Sequence, residues 1–582
     1  MSRPGFFHSL LRSVLLTLCT VIILAGLVAG AFWLHGKRGA KVDKDSWLVL
    51  DLYGSLHEYH TPGGPLAMIT GGDETTLQDM LDDLGKAALD DRIAGVIFRI
   101  SSSNDAGWAK LQELRRAVDK VQAAGKPVYA WGDALDLRAM YLASGCNKIM
   151  MPTGGYFQFK GMGRKLPYVR GVLDKLGIIP HLHKIKDYKA AAELVMDKQM
   201  SEAVRENETA LLDDTWEMVL DAIGTERALS RDKLLELMNY AEFTPTEAED
   251  AGLIDECIYM QELEERLAGG DEKRLKTVSQ EDYAQVSWKD VGLHTGKTIA
   301  VVHAQGNIGG RENRVDPVLG VMMGHETIVR ELQRCRYDDK VKAVVFRIDS
   351  GGGESLASDL MAHEVGKLAA VKPVVVSMVD VAGSGGYYIA YKATQLVADP
   401  LTVTGSIGSI NGFFDMKGFY DKIGLTKDGL SKGPMAELGT DYREPTPEEW
   451  QRFTEAHWIS YNEWLQDVAR HRGWTFEYAK TLAYGRVFTG NQAMKIGMVD
   501  TVGNLDDAIA LAARLAGLDT AEAPKVVHLP RKQELLDSVL GGDESPDDPV
   551  ALAVNAALYR QFQVRMRETL RYLATDYRNL VR

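Results

Sequence analysis

The sequence predicts a tandem pair of α/β domains, each built on parallel strands, behind an apolar N-terminal segment. Three observations carry this. The chain repeats itself: "DDRIAGVIFRI" at Asp90 returns as "DDKVKAVVFRI" at Asp338, and "FTPTEAEDAGLID" at Phe243 returns as "FTGNQAMKIGMVD" at Phe488. A near-constant offset held through separate blocks marks a duplicated domain. Within each copy, short β-branched runs such as "VVFRI" and "PVVVSMV" alternate with amphipathic stretches such as "LASDLMAHEVGKLAAV". That alternation is the pattern of strand–helix units on a parallel sheet. Finally, 582 residues with 45% hydrophobic content are enough for several buried cores.

Residues 14–34, "VLLTLCTVIILAGLVAGAFWL", are 21 in number and uncharged, the length of a membrane-spanning helix. We read residues 1–45 as an N-terminal anchor to the lipid bilayer, although Ala29 to Ala31 resembles a signal-peptidase site. Basic residues flank the segment on both sides (Arg3 and Arg12, then Lys37, Arg38, Lys41 and Lys44), so charge leaves the orientation open. The first repeat is expected over 46–266 and the second over 297–520. The polar stretch 267–296 reads as a linker. Residues 521–582 read as a tail, with the acidic "GGDESPDDP" preceding a C-terminal helix.

A net charge of −14 and the lack of a basic, aromatic-interleaved stripe argue against nucleic-acid binding. The four cysteines, Cys19, Cys146, Cys257 and Cys335, form no CxxC pair, so neither a zinc ribbon nor a disulfide framework is implied. No HExxH or Walker-type motif is present, and no metal, nucleotide or other cofactor is expected.

The repeats differ in two places. "VDVAGSGGYYIA", Val379 to Ala390, surrounds Ser384 with Gly383, Gly385 and Gly386; the first copy has "DALDLRAMYLA" there, with Leu137 in the place of Ser384. "FRIDSGGGES" in the second copy is matched by "FRISSSNDAG" in the first. If packing alone needed these glycines, both copies would keep them. A serine at a strand-to-helix turn sits beside the backbone N–H of Gly385, and a second glycine loop at Gly351 to Gly353 can aim another donor at the same point. Two such donors make an oxyanion hole, and Ser384 becomes a candidate nucleophile.

A nucleophilic serine needs a base. His457 and His363 are the histidines downstream or nearby, His363 on a helix-like stretch, and triad order varies among folds. The alternative is a lysine whose pKa burial lowers by about three units. "IKDYKAAAELVMD" offers Lys189 followed by three alanines. The matching "LSKGPMAELGTDY" puts Gly433 at that place, with Lys432 one position away. A site shared between the repeats explains why each lost what the other kept.

"DSGGGES", "GSGGYYIA" and "VTGSIG", together with "DYKAA", resemble the signal peptide peptidase A (protease IV) family in its long, duplicated form. The resemblance covers both repeats and the anchor. It implies the Clp-protease/crotonase fold, a spiral of ββα units. It also implies a membrane-bound serine endopeptidase with a Ser/Lys dyad that degrades cleaved signal peptides and other hydrophobic peptides. By motif, Ser384 is the nucleophile and Lys189 the general base; Gly352 and Gly385 supply oxyanion N–H groups, and Ser406 orients the lysine. The chain departs from the family in reading "SGGG" for "SPGG" and "KAA" for "KSA". The resemblance further implies a homotetramer on the periplasmic side of a bacterial inner membrane, and apolar subsite walls suit hydrophobic substrates. Two other readings use the same fold: an inactive membrane-tethered scaffold and an acyl-CoA enzyme of the crotonase type.

Overall fold

A computed structural model of the protein describes residues 42–61, 75–270, 273–293, 296–316, 318–519 and 523–531. The anchor expected at residues 14–34 and the helix expected near the C-terminus lie outside the described residues. Among the described residues, no helix is long and apolar enough to cross a membrane.

Each repeat folds around its own sheet. In the first, six strands run in the order Thr277–Ser279, Ser46–Leu52, Ile93–Ile100, Val128–Trp131, Lys148–Met151 and Glu256–Cys257, all parallel. In the second, Val341–Ser350 lies between Thr298–Gln305 and Val374–Gly383, again in parallel. The central strands are nearly continuous apolar runs because both faces are covered. Val344, Val345, Phe346 and Ile348 are all fully buried, as are Val96, Phe98 and Ile100 in the first copy. The helices Leu77–Leu89 and Trp108–Ala123 cover the first sheet, and His325–Tyr337 and Ser355–Ala369 take the matching places on the second.

The ββα recurrence is visible in both copies. In the first, Val128–Trp131 joins the main sheet, Ala134–Leu135 pairs with Tyr156–Phe159 in a small side sheet, and the helix Leu137–Ser144 follows. In the second, one long strand does both jobs. The start of Val374–Gly383 pairs with Gln395–Ala398, and its end pairs with Val403–Gly405.

Two expected boundaries are corrected. The stretch read as a linker is partly built into the first repeat: Thr277–Ser279 pairs with Trp47 to Val49, and Tyr283 is fully buried. The stretch read as a tail begins with Lys525–Leu529, which pairs with Thr298 to Val302 in the same edge position of the second sheet. Three to five residues are too short for alternation to reveal a strand, and polar flanks make them look like loop.

The repeats interlock. The strand Ile179–Ile185 of the first pairs antiparallel with Ser409–Asp415 of the second. The long helix Glu202–Arg227 reaches the second repeat through Asn207, which exchanges hydrogen bonds of 2.7 and 2.9 Å with the backbone of Val487. Arg347 is fully buried between the copies, donating to Glu58, Glu113 and Ser377, each at 2.8 Å. A buried ion network adds little net stability but penalises any docking that leaves one charge unpaired, so it fixes how the copies meet.

Candidate active site

Ser384 stands where the strand Val374–Gly383 turns into the short helix Gly385–Tyr388. Its backbone takes φ +55° and ψ −115°, a region that L residues avoid at a cost on the order of 1–3 kcal/mol. Two hydrogen bonds hold the turn. The Ser384 N–H donates to Gly405 O at 2.9 Å, and the Tyr388 N–H donates to Ser384 O at 2.9 Å. The flanking glycines are required by contact: a Cβ on Gly386 would lie 2.4 Å from Ser350 O, and one on Gly385 would lie 2.8 Å from Ser358 Oγ.

The neighbouring glycine loop shows which N–H groups face the serine. The expectation for Gly352 is corrected. Its N–H donates to Ser350 Oγ at 3.1 Å, and that hydroxyl donates to Gly306 O at 2.6 Å. Gly352 matters instead for space. It sits at φ +99°, and a Cβ there would come within 2.5 Å of the Gly385 nitrogen and cover that donor. The Gly353 N–H has no acceptor among the described residues. Gly353 forms a parallel bridge with Ile308, in which Ile308 N–H donates to Gly352 O and Glu354 N–H donates to Ile308 O, both at 2.9 Å. Parallel pairing uses the groups on either side of the bridged residue, so the Gly353 N–H points the other way. Its nitrogen lies 3.0 Å from where a Gly385 Cβ would be, so the Gly353 and Gly385 donors are neighbours.

Lys189 enters from the first repeat. It follows the strand Ile179–Ile185, which the second repeat pairs residue by residue, and it caps the helix Ala190–Met196. The residue is 6% exposed. Nζ donates to Ser406 O at 2.9 Å and to Ser406 Oγ at 2.8 Å. Among the described residues no carboxylate takes part, and burial pushes the amine down to about 7. Glycines of the second repeat make room for the residue: a Cβ on Gly485 would lie 2.9 Å from the Lys189 backbone nitrogen, and one on Gly408 3.3 Å from its Cδ. Ser406 itself has φ +55°, and its N–H is fixed by Arg486 O at 2.8 Å. Gly383 and Gly405 are register partners, which sets the next residues, Ser384 and Ser406, side by side.

Ser384, Lys189, Ser406, Gly352, Gly353 and Gly385 therefore line one cavity of about 1370 Å³. Among the described residues the Ser384 hydroxyl has no hydrogen-bond partner, and the side-chain donors of Lys189 are directed to Ser406. The histidine alternatives are placed elsewhere. His363 is exposed on its helix. His457 lines the cavity, but Nε2 meets Ser409 Oγ at 2.7 Å and Nδ1 meets His183 Nδ1 at 2.8 Å, so both nitrogens are engaged. Burial and then His183 push His457 down to about 4. Lys432 is exposed on an irregular stretch and lines no part of the cavity. The walls are mixed rather than apolar: Tyr388, Phe453 and Trp464 alternate with Asp359, Glu463 and Asp467. Sequence reasoning found the Gly351 to Gly353 loop but put its donor on Gly352, and it missed Gly408, Gly485 and the Ser409–His457–His183 chain. The glycines in "GSIGS" and "YGRV" were the available signal for two of them.

The profile of Peptidase family S49 matches residues 120–274 and 366–519, one segment in each repeat. The chain is 34% identical over 476 residues to "Serine protease SPPA, chloroplastic" of Arabidopsis thaliana, covering 80% of this chain and 70% of that one. It is 30% identical over 545 residues to "Protease 4" of Salmonella typhi, covering 88% and 86%. It is 27% identical over 518 residues to "Protease 4" of Haemophilus influenzae, covering 85% and 83%. With both repeats matched and relatives aligned over most of their length, the chain belongs to peptidase family S49 and is a serine peptidase of the signal peptide peptidase A type.

Proposed function

We propose that the protein hydrolyses peptide bonds through an acyl-enzyme, with Ser384 as nucleophile and Lys189 as general base. The observation that carries this reading is Lys189 itself: a buried amine with no acidic partner among the described residues, held by Ser406 in the cavity into which Ser384 opens. A neutral amine has two N–H bonds and one lone pair. Ser406 takes both donors, which leaves the lone pair for the serine proton. As Ser384 Oγ attacks the carbonyl carbon, Lys189 Nζ accepts the hydroxyl proton and the carbonyl oxygen becomes an oxyanion. In this reading the N–H groups of Gly385 and Gly353 receive that charge. Collapse of the tetrahedral intermediate breaks the C–N bond, and Lys189 returns its proton to the leaving amine. Water then attacks the ester with Lys189 again accepting the proton, and release of the acid regenerates the serine.

The substrates in this reading are cleaved signal peptides and other hydrophobic peptides, brought near by an anchor at residues 14–34. Phe453, Tyr388 and Trp464 offer apolar wall for them, and the acidic walls offer complementary contacts to peptide cations. A homotetramer on the periplasmic face of a bacterial inner membrane is part of the same proposal. The test is labelling with a fluorophosphonate followed by peptide mapping, alongside turnover of a synthetic signal peptide. The reading requires the label on Ser384, and loss of both labelling and turnover in Ser384→Ala. An unlabelled Ser384, or undiminished turnover in Ser384→Ala, contradicts it; the first outcome with no turnover at all is what an inactive scaffold gives.

A further inference from the structure

A second lysine of the first repeat reaches the second repeat outside the cavity, at the point where the nucleophile's strand deforms. Lys110 lies in the first turn of the helix Trp108–Ala123 and is 8% exposed. Its Nζ is 3.0 Å from Asp349 Oδ2 and 3.5 Å from Asp380 Oδ2, and it donates to Leu56 O at 2.9 Å. Asp380 Oδ1 in turn accepts the N–H groups of Ala109 and Lys110 at 3.1 and 3.2 Å. It thereby caps a helix whose own N-cap is Gly107, which has no side chain for the purpose. The fit excludes anything larger, since a Cβ on Gly107 would lie 2.2 Å from Asp380 Cγ.

Both aspartates mark a break in the sheet. Ile348 faces Met378, yet Ser350 faces Ala382, so one residue of the first strand spans three of the second. Asp349 Oδ1 closes this bulge by accepting the Val381 N–H at 3.2 Å. A bulge re-aims the residues beyond it. One strand continues from the bulge to Ser350, whose hydroxyl fixes the glycine loop; the other continues to Ser384. Burial, then the neighbouring Asp349, pushes the Asp380 carboxyl up, so the two acids oppose one another unless a cation stands between them. Lys110 supplies it. The first repeat has no such arrangement: by alignment Ser358 matches Lys110, and Ser101 and Asp133 match the two acids.

We propose that Lys110 is a positioning residue: by bridging Asp349 and Asp380 it fixes the bulge that aims Ser384 and the Gly353 loop at one point. The first repeat thus acts on the nucleophile as well as supplying its base. This inference rests on Ser384 being the nucleophile, and the two readings fail separately.

The test compares Lys110→Met, Lys110→Arg and Lys120→Met in the full chain, with kcat and KM normalised to folded protein by thermal melt. Misplacing a reacting group by about 1 Å costs on the order of a hundredfold. Lys110→Met is therefore expected to lose about that factor in kcat, with KM within about twofold, and Lys110→Arg to recover most of it. Lys120, on the same helix, pairs with the exposed Asp506 across the repeats; removing it should leave kcat unchanged. Should Lys110→Met not fold, Asp349→Asn keeps the acceptor for Val381 while breaking the ion pair, and the same kcat loss is expected. Wild-type kcat per folded molecule in Lys110→Met or Asp349→Asn, or a loss in Lys110→Met that Lys110→Arg does not relieve, overturns the proposal while leaving Ser384→Ala inactive. Turnover in Ser384→Ala instead overturns the catalytic reading, and this inference with it.

Discussion

The two repeats share a ladder and differ at one turn. Leu135 faces Phe157 and Phe157 faces Phe243 in the first; Ala382 faces Thr404 and Thr404 faces Phe488 in the second. That register puts Leu137 in the place of Ser384 and Phe159 in the place of Ser406. In the first repeat the turn is relaxed: Asp136 has an ordinary extended backbone at φ −120°, and its side chain accepts the Ala139 N–H to cap the helix. In the second, the residue entering the helix is Ser384 at φ +55°, with no side-chain cap. Phe159 is fully buried where Ser406 holds a lysine. Arg99 makes a half-exposed pair with Asp51 where Arg347 is buried among glutamates. The fold therefore tolerates either turn, and packing alone does not demand the strained one with its glycines. Strain kept in one copy of a duplicated fold and released in the other is evidence of function at that residue.

The largest effects should come from removing what each repeat contributes alone. Ser384→Ala and Lys189→Met are each expected to lower peptide turnover about a thousandfold or more, and the double variant to lose little beyond either single one, because the two act as a unit. Additive losses would show that they do not share a step. Next, Gly353→Ala should cost about a hundredfold or more in kcat. Its φ of +154° disfavours a side chain, and its Cβ would meet Ile308 O at 2.0 Å, displacing the donor. Alanine at Asn104, which takes the place of Gly352 in the first repeat, should leave kcat unaltered. Equal losses at the two loops would break the comparison.

Ser406→Ala should have a smaller effect, about tenfold to a hundredfold in kcat, because Ser406 O still accepts from Lys189 after Oγ is gone. The smallest effect is on stability. Lys189 titrates near 7 when folded against 10.5 in the open chain, so between these values the unfolded state binds the extra proton. Wild-type stability from this group rises across that window and is at its lowest at and below pH 7. Lys189→Met should melt a few degrees above wild type at pH 7, with the gap closing toward pH 10. A gap that widens with pH reverses the sign of the argument.

Ser384 and Lys189 stood out in the sequence because the duplication supplied an internal control, each being present in one copy and absent from the other; Ser406 came only from the resemblance carried by "VTGSIG". The assignment of Gly352 was not legible. Which N–H of "SGGG" is free depends on pairing with Ile308 and on the Ser350 hydroxyl, and neither is local. The cross-repeat contacts were also hidden. Lys110, Asp349 and Asp380 lie in ordinary-looking helix and strand, and only the register break brings them together. The edge strands Thr277–Ser279 and Lys525–Leu529 read as linker and tail because a short polar-flanked strand gains its identity from the sheet it joins.

The central claim is that an uncharged amine from one repeat takes the proton of a hydroxyl from the other. The most direct measurement is the rate of Ser384 modification by a fluorophosphonate between pH 5 and pH 9, in wild type and in Lys189→Met. The account predicts a rate that rises with pH through an apparent pKa of about 7 in the wild type, and a slow rate without that limb in the variant. A wild-type rate that is flat across the range, or a limb that persists at the same pH once Lys189 is gone, would contradict it.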